Sequence, residues 1–229
     1  MRKSVFILLL FCIALLPLLS IYNCQSFNAS AKNIGTIIVD PAHGGSDPGA
    51  TAFHTINGDE LTFFEKDMTL QVALLLKEKI AKNYPDINVI LTRNDDTYLS
   101  LEDRKAQANS ATLGNNGLSL FVSLHINSSY SADKRGYQLF IPAPNYTANN
   151  IALAEKVSFS FTSMFGEDLP YLGLVKENAY IPNNSPLVLL VELGFITSPE
   201  DITLLHSEHG LEKYATALAN GIASYIAAQ

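Results

Sequence analysis

Three polar residues stand where apolar runs end. His43 comes soon after Thr36-Ile37-Ile38-Val39, His125 ends Leu120-Phe121-Val122-Ser123-Leu124, and Glu192 ends Leu187-Val188-Leu189-Leu190-Val191. A fourth, Glu65, opens a stretch whose helical spacing puts it on the side of Met68, Val72 and Leu76. A carboxylate on a core-facing stripe needs a partner, either the helix N-terminus or a bound cation. Two imidazoles and one carboxylate form a common catalytic zinc set, with the fourth position open to water. On that reading His43, Glu65 and His125 hold one zinc ion. Glu192 is then the general base, taking a proton from water and later returning it to a leaving amine. Asp40 is placed to accept a hydrogen bond from the ring of His43 or from the loop. Gly44 and Gly45 let the chain turn tightly there. Plainer readings stand beside these: a histidine after a strand is often only a structural hydrogen-bonder, and Glu65 could be a capping acid. Glu192 is harder to set aside, because an acid after five apolar residues is costly unless paired. Glu60 is the alternative to Glu65, and His54, His206 and His209 read as solvated.

These groups need elements to position them. Strands are expected at Ile37–Val39, Val89–Thr92, Leu118–Leu124, Gly136–Ile141 and Pro186–Val191. Helices are expected at Glu65–Asn83, Leu101–Ala111, Ile151–Phe165 and Leu211–Ala228. Strands alternating with helices argue for a single α/β domain with a mostly parallel, covered sheet. Ligands of such sheets sit outside the carboxyl ends of the strands, which is where His43, His125 and Glu192 fall.

The chain has 229 residues and begins with Arg2 and Lys3 ahead of an apolar run, Val5 to Ile21. That is the pattern of an export signal, with Ala29-Ser30-Ala31 as a small-x-small cleavage site; an uncleaved anchor is the alternative. Cys24 would suit a lipoprotein, but Tyr22 and Asn23 are poor residues to precede it. Residues 1–31 are therefore set apart, and 32–229 form the domain. Their removal takes away Arg2 and Lys3 and no acids, moving the net charge from −7 to −9. So acidic a domain is a poor nucleic-acid binder. Cys12 and Cys24 are the only cysteines, so the domain holds neither a disulfide nor a cysteine nucleophile. The chain has no His-Glu-x-x-His, no Gly-x-Ser-x-Gly, no P-loop and no Gly-x-Gly-x-x-Gly.

Five stretches occur in order: "VDPAHGGSDPGA" from Val39, "EKD" from Glu65, "LTRNDDTYLSLEDRKAQAN" from Leu91, "SLHIN" from Ser123 and "VELGFITSPED" from Val191. Together they resemble the zinc-dependent N-acetylmuramoyl-L-alanine amidases of the amidase_3 family, over about residues 35–228. The resemblance implies hydrolysis of the amide between N-acetylmuramic acid and the first L-alanine of the peptidoglycan stem. It implies His43, Glu65 and His125 as zinc ligands, Glu192 as catalytic acid/base, and a zinc-peptidase-like six-stranded sheet flanked by helices. An exported monomer acting on peptidoglycan in the periplasm, at the cell envelope or after secretion follows.

The sequence departs from the family pattern in three places. Ala42 replaces a usual glycine, which would be strained if the backbone there needs a positive φ. Thr51 to Phe64 looks like an extra loop. The stretch from His125 to Glu192 looks too short for the helix that blocks the zinc in some relatives, so no activator is expected. Asn127, Ser128, Tyr130, Asn178 and Tyr180 are groove candidates by position. A zinc carboxypeptidase acting on the stem and a catalytically silent wall-binding protein are the competing readings.

Overall fold

The computed structural model describes residues 34–112, 118–143, 146–177 and 187–229. The segment expected to be a signal or anchor, 1–31, lies outside them. Among the described residues no helix is long and apolar enough to cross a membrane.

Strands β1 (Ile34–Pro41), β4 (Asn88–Leu91), β5 (Leu118–Asn127) and β8 (Leu187–Phe195) are the expected apolar runs. Ile37, Ile38 and Val39 are wholly buried, as a strand covered on both faces must be. The six-stranded sheet has the order β4-β1-β5-β8-β6-β7. Its first four strands are parallel. β6 (Tyr137–Pro142) runs antiparallel to β8, and β7 (Tyr171–Glu177) runs parallel to β6. The sheet is therefore mixed, mostly parallel, in a single α/β domain.

The two faces are loaded unequally. Helices α1 (Glu65–Asn83), α3 (Ala148–Phe165) and α5 (Glu208–Ala227) bury one face around Leu76, Val157, Leu189 and Leu218. On the other face α2 (Leu101–Thr112) packs over β1 and β5, where Ile38, Ala108, Phe121 and Val188 make a small cluster. Past α2 that face carries Leu190 and Phe140, paired across β8 and β6 and only half-buried.

Thr51–Phe64, expected as a loop, is a hairpin: β2 (Thr51–Ile56) pairs antiparallel with β3 (Asp59–Phe64). Asn57 and Gly58 form its two-residue turn, both with positive φ, 54° and 92°. That is the backbone a tight hairpin demands and Asn-Gly accepts most readily. Strand β7 and helix α4 (Pro199–His206) were not expected either. α4 starts at Ser198, whose hydroxyl accepts the Asp201 N–H, with proline as the first helical residue.

Candidate active site

The site forms at the carboxyl ends of β1, β5 and β8, with α1 beneath. β1 stops at Pro41, and the chain turns through His43 (φ 60°), Gly44 (φ 131°) and Gly45 (φ 58°). Gly44 and Asp47 exchange two main-chain hydrogen bonds, 2.9 and 3.1 Å. A Cβ on Gly44 would sit 2.2 Å from the Thr97 carbonyl oxygen, so only glycine fits. Ala42 has no positive φ; the left-handed residue is the histidine after it. Alanine is accommodated there without backbone strain, 2% exposed.

His43 Nε2 lies 3.2 Å from Glu65 Oε2, and His125 Nδ1 lies 3.1 Å from Glu65 Oε1. One potential ligand atom from each residue lies within 4.8 Å of the other two. The Glu65 carboxylate is 4% exposed and also accepts the N–H groups of Ala50 (2.8 Å) and Ile126 (3.0 Å). It serves no cap on its own helix, whose N-cap Phe64 makes no side-chain bond. Burial pushes its pKa up, but the hydrogen bonds to His125 and His43 outweigh it and hold it at about 2. Hydrogen bonding to Glu65 in turn raises His43 to about 9, against the opposing effect of burial. Two imidazoles gathered on one buried carboxylate are a donor set that could hold one metal ion, and of the type found at open zinc sites. Glu60 is exposed on the hairpin and takes no part.

Glu192 pairs with His125 across β8 and β5 and lines the same cavity as both histidines, of about 370 Å³. Burial raises its pKa to about 7. Its Oε2 is buried with no hydrogen-bond partner among the described residues. A buried, unpartnered carboxylate that lines the same cavity as two histidines is suited to proton transfer.

Asp40 does not bond the His43 ring. It accepts from Thr92 Oγ1 (2.6 Å), Ser123 Oγ (3.0 Å) and Arg104 Nη1 (2.6 Å). Arg104 also donates to the carbonyls of Pro41 and His43, while Arg93 donates to those of Pro41 and Ala42. The two arginines thus hold every carbonyl from Pro41 to His43, and neither was singled out in the sequence. The partner of the His43 ring is Asp47, whose Oδ2 accepts from Nδ1 at 2.8 Å. That contact leaves Nε2 facing Glu65. Asp47→Ala is expected to weaken zinc binding about 10- to 100-fold, read by competition with a chromophoric chelator.

Asn127 turns its amide oxygen onto the N–H of Ser128, and Tyr130 is fully exposed beyond it. Asn178 and Tyr180 lie outside the described residues. His54, expected to be solvated, bonds the Ile196 carbonyl at 2.7 Å and ties the hairpin to the end of β8. No helix among the described residues between His125 and Glu192 lines the cavity.

The family described as N-acetylmuramoyl-L-alanine amidase, Amidase_3, matches residues 37–224. A sporulation-specific N-acetylmuramoyl-L-alanine amidase of Bacillus subtilis is 33% identical over 81% of this chain and 66% of its own length. The chain thus spans just under two thirds of that relative. An uncharacterized protein of the same organism, YqiI, is 33% identical over 83% of this chain and 84% of its own. The crystal structure of an N-acetylmuramoyl-L-alanine amidase from Clostridium difficile 630 superimposes with a TM-score of 0.72 at 29% identity, covering 84% of this chain and 97% of that one. With the motifs, the fold and the donor cluster in agreement, this chain belongs to the Amidase_3 family, and its α/β domain is that of a peptidoglycan amidase.

Proposed function

We propose that this is an exported zinc amidase, which cuts the amide between the lactyl group of N-acetylmuramic acid and the first L-alanine of the stem. His43, Glu65 and His125 would hold the ion. Bound there, zinc would supply Lewis acidity, polarising the amide carbonyl and easing the ionisation of water. Glu192 takes a proton from water as the water oxygen attacks the amide carbon. The carbon–nitrogen bond then breaks, and Glu192 gives that proton to the nitrogen of the leaving alanine. The products are a lactyl carboxylate on the glycan and a stem with a free amino terminus. Asp47 orients His43, and Asp40, Arg93 and Arg104 hold the loop that carries it. The observation that carries this reading is the convergence of one ligand atom each from His43, Glu65 and His125, with the buried, unpartnered carboxylate oxygen of Glu192 in a residue that lines the same cavity as both histidines.

The test is digestion of purified peptidoglycan with products identified by mass. Free stems beginning with L-alanine, and none after chelation, are expected. Cleavage inside the stem would instead establish a carboxypeptidase or other peptidase, and wall binding without cleavage a silent binding protein. With no helix among the described residues between His125 and Glu192 lining the cavity, the purified protein is expected to be active without an activator. An absolute requirement for a second protein in the same digest would overturn that expectation. We place the protein outside the cytoplasm, as a monomer at the cell envelope, by virtue of residues 1–31 and of its substrate.

A further inference from the structure

The cavity does not end at the catalytic cluster. It continues over Leu190 and Phe140 on the thinly covered face and reaches Glu177 at the end of β7. The sheet register measures the separation. Glu192 lies opposite Gln138, and Glu177 lies opposite Pro142, four residues further along β6. Four strand residues and two strand spacings separate the two Cα atoms by about 16 Å.

The charges along this floor are few. Arg104, the one arginine or lysine lining the cavity among the described residues, is committed to Asp40 and to main-chain carbonyls, and His43 is committed to Glu65 and Asp47. Lys176, next to Glu177, bonds Tyr146 Oη at 2.9 Å. The Glu177 carboxylate is exposed and makes no hydrogen bond or ion pair with the described residues. A groove floored by Leu190 and Phe140, with a carboxylate at its far end that has no partner among the described residues, is complementary to a peptide with one cation at a fixed distance.

We propose that Glu177 is a specificity residue, selecting stems that carry a side-chain amine on their third residue. The inference rests on the amidase reading above, which puts the first alanine at Glu192. The third residue of an extended stem lies about 7 Å beyond the first. A side chain of lysine type spans most of what remains up to Glu177.

Two muramoyl tripeptides that differ only in lysine or Nε-acetyl-lysine at the third position test this. The zinc-loaded protein should prefer lysine about fivefold in kcat/KM, mainly through KM, as suits an exposed ion pair. Glu177→Gln should bring the ratio close to one, and Glu177→Lys should reverse it. The preference should also fade at high ionic strength. Equal hydrolysis of the two peptides by the wild-type protein, or a preference that survives in Glu177→Gln, would overturn the proposal. Calorimetric binding to zinc-loaded Glu192→Gln, with and without Glu177→Gln, separates it from the amidase reading. If neither peptide is cut, that reading fails; tighter binding of the lysine peptide still supports Glu177, and equal binding overturns it.

Discussion

Glu192→Gln is expected to lower kcat about 100- to 10,000-fold while zinc stays bound. The loss is that of general acid–base catalysis, since the amide keeps the shape of the side chain and removes its proton exchange. Steady-state kinetics with a metal assay on the same sample reads both. Loss of zinc together with activity would make Glu192 a ligand instead of a base. The metal-free protein offers a second reading. The folded-state pKa of Glu192 is raised from 4.5 to about 7, so the folded state holds a proton that the unfolded state has released. The stabilisation from that proton is full below pH 4.5 and is lost as pH rises through 7. At pH 8 metal-free Glu192→Gln should therefore be more stable than wild type by about 3 kcal/mol, with the gap closing towards pH 4.5. His43, raised to about 9, acts in the same direction in both proteins; its contribution is full below 6.5 and is lost as pH passes 9. Denaturant melts across this range check the difference. A bound cation beside Glu192 would favour its carboxylate and shrink the gap, so zinc-loaded samples are the control.

Arg104→Met should cost about 3–5 kcal/mol of stability, because it leaves Asp40 as a buried charge without its cation. Both side chains of that pair are 4% exposed. The same change takes from the His43 carbonyl its arginine donor and from the Pro41 carbonyl one of its two, so zinc affinity should fall as well. Urea unfolding of the metal-free protein isolates the first effect, and chelator competition the second. A variant that unfolds like wild type would show that the pair is dispensable. Asp40→Asn is the reciprocal change: it leaves the Arg104 guanidinium buried without its carboxylate and keeps one acceptor oxygen where Asp40 offers one to Thr92 and Arg104 and another to Ser123.

The candidate cluster was legible because polar residues at the ends of apolar runs violate the hydrophobic pattern. His43, His125 and Glu192 are visible in that way, and Glu65 by its place on an apolar stripe. Their supports were not. Asp47 looks like one more loop acid until the Gly44 turn folds it back onto the His43 ring. Arg104 sits in a strongly polar helix, and only the tertiary structure reveals that its guanidinium is buried beneath the loop that carries His43. The β2–β3 hairpin did announce itself: Asn57-Gly58 between two six-residue runs is a strong hairpin signal, which the resemblance to a longer loop obscured. β7 has no such signal. Gly173 interrupts it, its residues are half-buried or exposed, and it becomes a strand only by pairing with β6.

The unequal covering of the sheet divides what this domain must keep from what it can vary. Large-to-small changes beneath α1 and α5, at Leu76 or Leu218, would leave cavities costing about 2–5 kcal/mol each. Exposed positions over the other face, such as Glu177, Tyr98 and Leu101, contribute little packing, and substitution there should stay within about 0.5 kcal/mol. Substrate preference can therefore drift along one side of the sheet while the fold is conserved from the other, and the two need not be traded against each other.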